Sequence, residues 1–273
     1  MICQIFFKML NKVCVFTIPC APKRMGKKIS MKKALFFVSN WKMYLSYQAN
    51  VALYQQYEKQ LASTITTTGH TLIVCPAVSA LATITHTKSA PFYLSGQTCA
   101  AYSHGAYTGE TDAQSLRELG CAYCIVGHSE RRIYHHETDE IVAHQAQQLL
   151  NQGLIPIVCI GETREEKKSS QTHAVIARQL TAVTKVIHAS TVPYLLVAYE
   201  PVWAIGSGQL PHQHEVESVF GFIRTLTHAL NIPPIKLLYG GSINQSTVDY
   251  LKNTKNLDGF LVGKTSIDVA AYK

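Results

Sequence analysis

The chain has 273 residues, 47% of them hydrophobic, and a formal charge of +8 at pH 7, enough apolar material for one large core in a single domain of barrel size. Six of those charges (Lys8, Lys12, Lys23, Arg24, Lys27, Lys28) lie in residues 1–30, which hold no acid, so residues 31–273 carry only +2. A nearly neutral body without a basic stripe argues against a nucleic-acid partner, and no uninterrupted apolar run reaches membrane-spanning length.

Residues 1–30 are apolar only in short pieces, broken by Lys8 and Lys12. Their basic residues are not confined to the front, and no clean small-x-small site follows, as a secretory leader would require. Met31, followed by two lysines, offers a second start. The expected organisation is an N-terminal extension, 1–30, outside a single catalytic domain over 31–273. Three cysteines (Cys3, Cys14, Cys20) fall in the extension and five (Cys75, Cys99, Cys121, Cys124, Cys159) in the body. Cys121 and Cys124 have CxxC spacing, but no second pair completes a zinc site and Cys124 opens a strand-like run. Buried free thiols in a reducing, cytoplasmic compartment are the better account.

After residue 31, eight β-rich apolar runs recur: ALFFVS (34–39), TLIVC (71–75), FYLSGQ (92–97), AYCIVG (122–127), LIPIVCI (154–160), YLLVAY (194–199), IKLLY (235–239) and DGFLVG (258–263). They lack clean alternation, which suits strands buried on both faces of a parallel sheet. Windows 48–62, 138–153, 173–187 and 214–230 between them have helical spacing. Eight strands alternating with helices predict a closed (β/α)8 barrel. The rival, a doubly wound open sheet, would usually offer a Gly-rich first turn, and the first turn here is Asn40-Trp41-Lys42.

In a barrel the carboxyl ends of all strands converge on one mouth, so each end is read for chemistry. The first gives Asn40 and Lys42, a cation able to hold an anionic substrate, or else an ordinary solvated lysine. The third leads to a loop, 101–110, whose Tyr102, Gly105 and Tyr107 suit a contact surface. At the fourth stands GHSERR (127–132): His128 at the mouth, Ser129 as a cap for the next helix, and Glu130 able to brace Lys42 or serve as a plain first-turn acid. A helix N-terminus disfavours imidazolium, so His128 is expected neutral, a hydrogen-bond donor or proton relay. The fifth ends in Cys159-Ile-Gly-Glu162, the cysteine packing behind a carboxylate rather than acting as a nucleophile. The sixth gives Glu200, followed by Pro201, Val202, Trp203, Ala204, Ile205, Gly206, Ser207 and Gly208. That segment, stiff at one end and permissive at the other, reads as a lid over the carboxylate. The alternative there is a solvated glutamate before a turn. The last two ends, YGGS (239–242) and Gly263-Lys264, expose backbone N–H groups suited to phosphate.

A carboxylate under a lid, a neutral imidazole, a lysine and a phosphate cradle fit proton transfer at a carbon next to a carbonyl. No nicotinamide, flavin or metal has a part in such a scheme, so no cofactor is expected. The motifs NWKM (40–43), GAYTGE (105–110), GHSERR (127–132), CIGE (159–162), AYEPVWAIGSG (198–208), YGGS (239–242) and DGFLVG (258–263) resemble, in order, the signatures of the triosephosphate isomerase family. The resemblance spans essentially all of 34–270.

It implies reversible conversion of dihydroxyacetone phosphate to D-glyceraldehyde 3-phosphate, in glycolysis and gluconeogenesis, by a cytoplasmic homodimer. It implies that Glu200 is the base, His128 the electrophile and Lys42 the substrate-binding cation, beside Asn40 and supported by Glu130. Gly206, Ser242, Gly263 and Lys264 match the positions whose backbone amides bind phosphate. Thr108 matches a loop residue that reaches the partner's Asn40–Lys42. Departures from the family pattern are Lys264 and Thr98, where glycine and asparagine are usual, Ser207 for threonine, and Ser169-Ser170 in a stretch that usually has a glycine. Two further readings compete: another phosphate-binding barrel, or a barrel kept as a scaffold. An aldolase would need a Schiff-base lysine inside a strand, and strands four to six have none; a scaffold would have an eroded mouth.

Overall fold

Eight parallel strands follow one another around a closed barrel in chain order. They are β1 (Phe36–Asn40), β2 (Thr71–Cys75), β3 (Tyr93–Gly96), β4 (Cys121–Val126), β5 (Ile155–Ile160), β6 (Leu195–Tyr199), β7 (Ile235–Tyr239) and β8 (Gly259–Val262). The computed structural model describes residues 33–187, 192–206, 208–230 and 232–272. The expected extension 1–30 and Ser207 of the expected lid lie outside the described residues.

β1 pairs with both β2 and β8, so the ladder closes and no strand presents a free edge. All six residues of β5 and all five of β6 are buried. Burial on both faces is why the runs read as continuous apolar stretches without a period of two. The runs predicted at 71–75 and 235–239 are the observed strands to the residue, and the others differ by one or two residues at their ends.

The helices are α1 (Tyr47–Thr68), α2 (Val78–Thr87), α3 (Ala113–Glu118), α4 (Ser129–His135), α5 (Asp139–Asn151), α6 (Arg164–Lys168), α7 (Thr172–Thr184), α8 (Gln213–Ala229) and α9 (Gln245–Leu251). The four predicted helical windows fall on α1, α5, α7 and α8. Several starts are fixed by side chains: Thr163 accepts from the Glu166 N–H while the Glu166 carboxylate accepts from the Thr163 N–H, and Asn244 accepts from Thr247 N–H at 2.9 Å. Each such bond satisfies an amide the helix itself leaves unpaired. Between α6 and α7 Ser170 takes a left-handed backbone, φ 57°.

After β8 the chain makes two 3₁₀ turns, Lys264–Ile267 and Val269–Tyr272. The second ties the C-terminal segment to the barrel, with the Tyr272 hydroxyl 2.6 Å from Ser39 Oγ on β1. All five cysteines of the body are free and buried.

Candidate active site

Glu200 is the first residue after β6 and is 2% exposed. Its own N–H donates to the Ile160 carbonyl at 2.7 Å, which pins the end of β6 to the end of β5. The fit is close enough that a Cβ on Gly161 would fall 1.8 Å from the Glu200 carbonyl oxygen. Gln179 of α7 holds Gly161 from behind, accepting from its N–H at 2.9 Å and donating to its carbonyl at 3.2 Å. The Glu200 side chain has two partners: Oε2 accepts from the Ser129 N–H at 3.0 Å, and Oε1 lies 3.2 Å from His128 Nε2. Cys159 is fully buried nearby, and burial, then the Glu200 charge, pushes its thiol well above the usual range. A buried thiol held protonated in this way suits packing behind the carboxylate more than nucleophilic attack.

His128 caps α4. Its Nδ1 accepts from the Glu130 N–H at 3.2 Å, whereas the Glu130 carboxylate stands 3.7 Å from Nδ1, beyond hydrogen-bond reach. A ring nitrogen that accepts a hydrogen bond is not the one that donates, so this bond leaves Nε2, 3.2 Å from Glu200 Oε1, as the nitrogen free to donate. This corrects one sequence expectation. Ser129 is not the cap of α4: the imidazole does that work, and the Ser129 N–H, left without a partner inside the helix, is taken by Glu200.

Lys42 sits in a left-handed backbone conformation, φ 49°, unusual for a residue with a side chain. Three bonds hold it there: its N–H donates to Asn40 Oδ1 at 3.0 Å, and Gln97 Nε2 donates to its carbonyl at 2.9 Å and to the Cys75 carbonyl at 3.0 Å. The turn therefore aims the ammonium inward, where Nζ meets Glu130 Oε1 at 2.6 Å. Such residues persist only where the surroundings over-determine them.

The segment after Glu200 begins with a 3₁₀ turn, Val202–Ala204. Trp203 anchors it. Its Nε1 donates to Glu162 Oε1 at 2.8 Å, its carbonyl accepts from Arg164 at 3.1 Å, and Lys167 Nζ lies 5.4 Å from its ring centroid. Tyr199 donates to the same Glu162 oxygen at 3.2 Å. Burial raises the Glu162 carboxyl above its ordinary range even though both donors pull it down. At the far end, Ser242 Oγ donates to the Ala204 carbonyl at 2.9 Å and accepts from the Gly206 N–H at 3.1 Å. Gly206 and Gly208 both have positive φ, 68° and 71°. The segment is thus clamped at one end by side chains from beyond β5 and latched at the other to a residue beyond β7.

These parts enclose a cavity of about 250 Å³ whose wall includes Asn40, Lys42, His128, Glu200, Ile205, Gly206, Ser242, Gly263 and Lys264. Of the residues singled out from sequence, Glu130 reaches this wall through Lys42, Cys159 lies behind it, and Thr108 is on an exposed loop away from it. Lys264 is not among the residues with positive φ, so its side chain introduces no backbone strain. A larger cleft of about 700 Å³ opens on the helical layer around α4 to α7. Two of its cations, Arg132 and Arg178, are already paired with Asp139, and none of the loops after β6 to β8 except the base of the lid at Val202 reaches it. Among the described residues no three His, Cys, Asp or Glu side chains are grouped as a metal site would need.

A family model described as triosephosphate isomerase matches residues 35–273. The chain belongs to the triosephosphate isomerase family. The triosephosphate isomerase of Paracidovorax citrulli is 38% identical over 239 residues, covering 87% of this chain and 95% of that protein. That of Delftia acidovorans is 38% identical over 244 residues, 89% of this chain and 97% of its own. An Azoarcus relative reaches 43% over 175 residues, 64% and 72%.

Four residues that shape this site are given no role in it by the sequence: Gln97, Arg132, Gly161 and Gln179. Arg132 donates to the Gly127 carbonyl at 2.8 Å and to Asp139 at 2.7 Å, fixing the turn that carries His128. Gly161 and Gln97 left a signal, since each stands just past a strand end. Gln179, in mid-helix, and Arg132, in a run of charges, left none.

Proposed function

We propose that this chain interconverts dihydroxyacetone phosphate and D-glyceraldehyde 3-phosphate by proton transfer through an enediol(ate), an aldose–ketose isomerisation serving glycolysis and gluconeogenesis. The observation that carries the reading is the 3.2 Å approach of the buried Glu200 carboxylate to Nε2 of His128, whose other ring nitrogen accepts from a backbone N–H. A glutamate base beside a neutral imidazole is already the general example for this family, and the distances agree with it without being its source.

Glu200 removes the carbon-bound proton. His128 donates from Nε2 to the substrate oxygens, and Lys42 balances the negative charge that develops on them. Asn40 acts through the Lys42 backbone, and Glu130 holds the ammonium in place before substrate arrives. Backbone N–H groups of Gly206, Ser242, Gly263 and Lys264 receive the phosphate. The Gly206 N–H now faces Ser242 Oγ, so phosphate competes with that latch for it. Pro201 to Gly208 exclude water while the enediolate exists, which suppresses loss of phosphate from it. No cofactor takes part.

The working form is a cytoplasmic homodimer, without nucleic-acid or membrane partners. Support for association lies in exposed apolar surface close to the site: Met43, beside Lys42, is 94% exposed, and Tyr102 and Tyr107 stack at 4.4 Å on a loop that is exposed over 102–110 in the single chain. In the dimer Thr108 of that loop meets the neighbour's Asn40–Lys42 turn. A monomer-sized sedimentation profile at micromolar concentration would reject this assembly.

A coupled assay on glyceraldehyde 3-phosphate tests the main reading. The wild type should turn over, and Glu200→Asp, which withdraws the carboxylate by about 1 Å, should lose on the order of 10²-fold in rate. An inactive wild type sinks the function, and equal rates sink the assigned base.

A further inference from the structure

Lys264 opens the 3₁₀ turn after β8, and it is an exposed residue whose atoms form part of the cavity wall. No ion pair among the described residues uses its ammonium, whereas the other lysine of the wall, Lys42, is already answered by Glu130 at 2.6 Å. Glu200 is the remaining charge of the wall. Without Lys264 the ionised groups Lys42, Glu130 and Glu200 sum to −1, an unwelcoming balance for a phosphate ester that arrives doubly negative. With Lys264 the sum is zero. The corner is also close to the first cation, since a Cβ on Gly263 would lie 3.8 Å from Lys42 Nζ.

We propose that the Lys264 side chain is a specificity-determining cation at the phosphate end of this site, drawing in and holding dianionic phosphoryl ligands in addition to any contact made by its backbone amide. The inference rests on the phosphate-binding reading given above. Because the charge is exposed, its action is long-ranged, salt-screened and moderate, felt in capture of the ligand and not in the proton transfers at Glu200 and His128. Since Lys264 has an ordinary φ, removing its charge leaves the loop free to keep its course.

The test uses the full chain with Lys264→Met, which keeps the stem, and Lys264→Arg, which keeps the charge. KM for glyceraldehyde 3-phosphate and the inhibition constant of inorganic phosphate are measured at low and high salt, and inorganic phosphate binding is measured by calorimetry. At low salt Lys264→Met should raise both constants by about 3- to 10-fold, with kcat changed less than about twofold, and Lys264→Arg should restore them. The difference should fade by about 0.5 M salt. Unchanged constants in Lys264→Met, a fall in kcat without a change in KM, or failure of arginine to rescue would overturn the proposal. An inactive wild type would sink the isomerase reading alone. The calorimetric comparison would still decide the role of Lys264, and equal phosphate binding by wild type and Lys264→Met, or none by either, would overturn it.

Discussion

Gly161→Ala probes how the base is held, by a residue that touches no substrate. The added Cβ would lie 1.8 Å from the Glu200 carbonyl oxygen and 2.6 Å from its carbon, where real contacts of this kind stay beyond 3.0 Å. The two strand ends must therefore part by about 1.2 Å, the gap between those values, and because both atoms are backbone no side-chain rotation relieves them. The bonds that resist are the 2.7 Å link from Glu200 N–H to Ile160 and the Gln179 clamp on Gly161. A shift of that size breaks the 3.0 and 3.2 Å contacts of the carboxylate. An ångström of misplacement costs on the order of 10²-fold in rate, or about 2.7 kcal/mol of barrier. Overpacking should remove about 1–3 kcal/mol of stability as well. The coupled isomerase assay gives kcat/KM, and thermal unfolding followed by circular dichroism gives stability. Gly221→Ala, in α8 with nothing within 4 Å of the added methyl, is the control, expected to gain about 0.5–1 kcal/mol at unchanged activity. A folded Gly161→Ala with wild-type kcat/KM would refute the argument that strand-end packing positions Glu200.

Ser170→Gly should stabilise the chain by about 0.5–1 kcal/mol, because φ 57° carries no penalty for glycine; a lowered melting temperature would contradict this. Ser242→Ala removes both bonds of the lid latch, so the Gly206 amide should exchange with deuterium faster and kcat/KM should fall about 10-fold; unchanged exchange would show that the latch lies elsewhere. Burial pushes the Cys75 and Cys121 thiols up to about 12, so at pH 8 iodoacetamide should leave both unmodified in the folded protein and alkylate both after denaturation, as peptide mass mapping would reveal. Glu162 has a raised folded-state carboxyl, so its ionisation opposes folding above that value and the penalty disappears below the unfolded value near 4.5. Glu162→Gln, which keeps an acceptor for Trp203 and Tyr199, should therefore raise the melting temperature at pH 7.5 and lose that advantage below about pH 4.5. An advantage that persists at low pH would point to packing instead of charge.

The barrel was readable because strands buried on both faces leave unbroken apolar runs, and the chemistry because a barrel gathers strand ends: Asn40, His128, Glu200 and Ser242 each stand at or just beyond one. What the sequence hid depends on how separate segments approach. Ser129 has the chemistry of a helix cap, but a neighbouring imidazole reached the amide first. Gly161 reads as any turn glycine until the Glu200 carbonyl is seen against it. Gln179 reads as a polar residue on a helix, and only the packing of α7 on β5 reveals its two bonds to Gly161. The left-handed turn at Lys42 is similarly invisible, because its cause includes Gln97, which lies 55 residues further along the chain.

The carboxylate of Glu200 stands 3.2 Å from Nε2 of His128. A molecule whose oxygens are to reach Nε2 must share that space with the carboxylate. An inert anion held only at the phosphate end therefore leaves the approach of these two groups unchanged, whereas a ligand that reaches the floor of the barrel does not. The imidazole ¹⁵N resonance of Nε2 should tell those two occupancies apart: unmoved by inorganic phosphate, and displaced by a ligand whose oxygens reach the floor of the barrel.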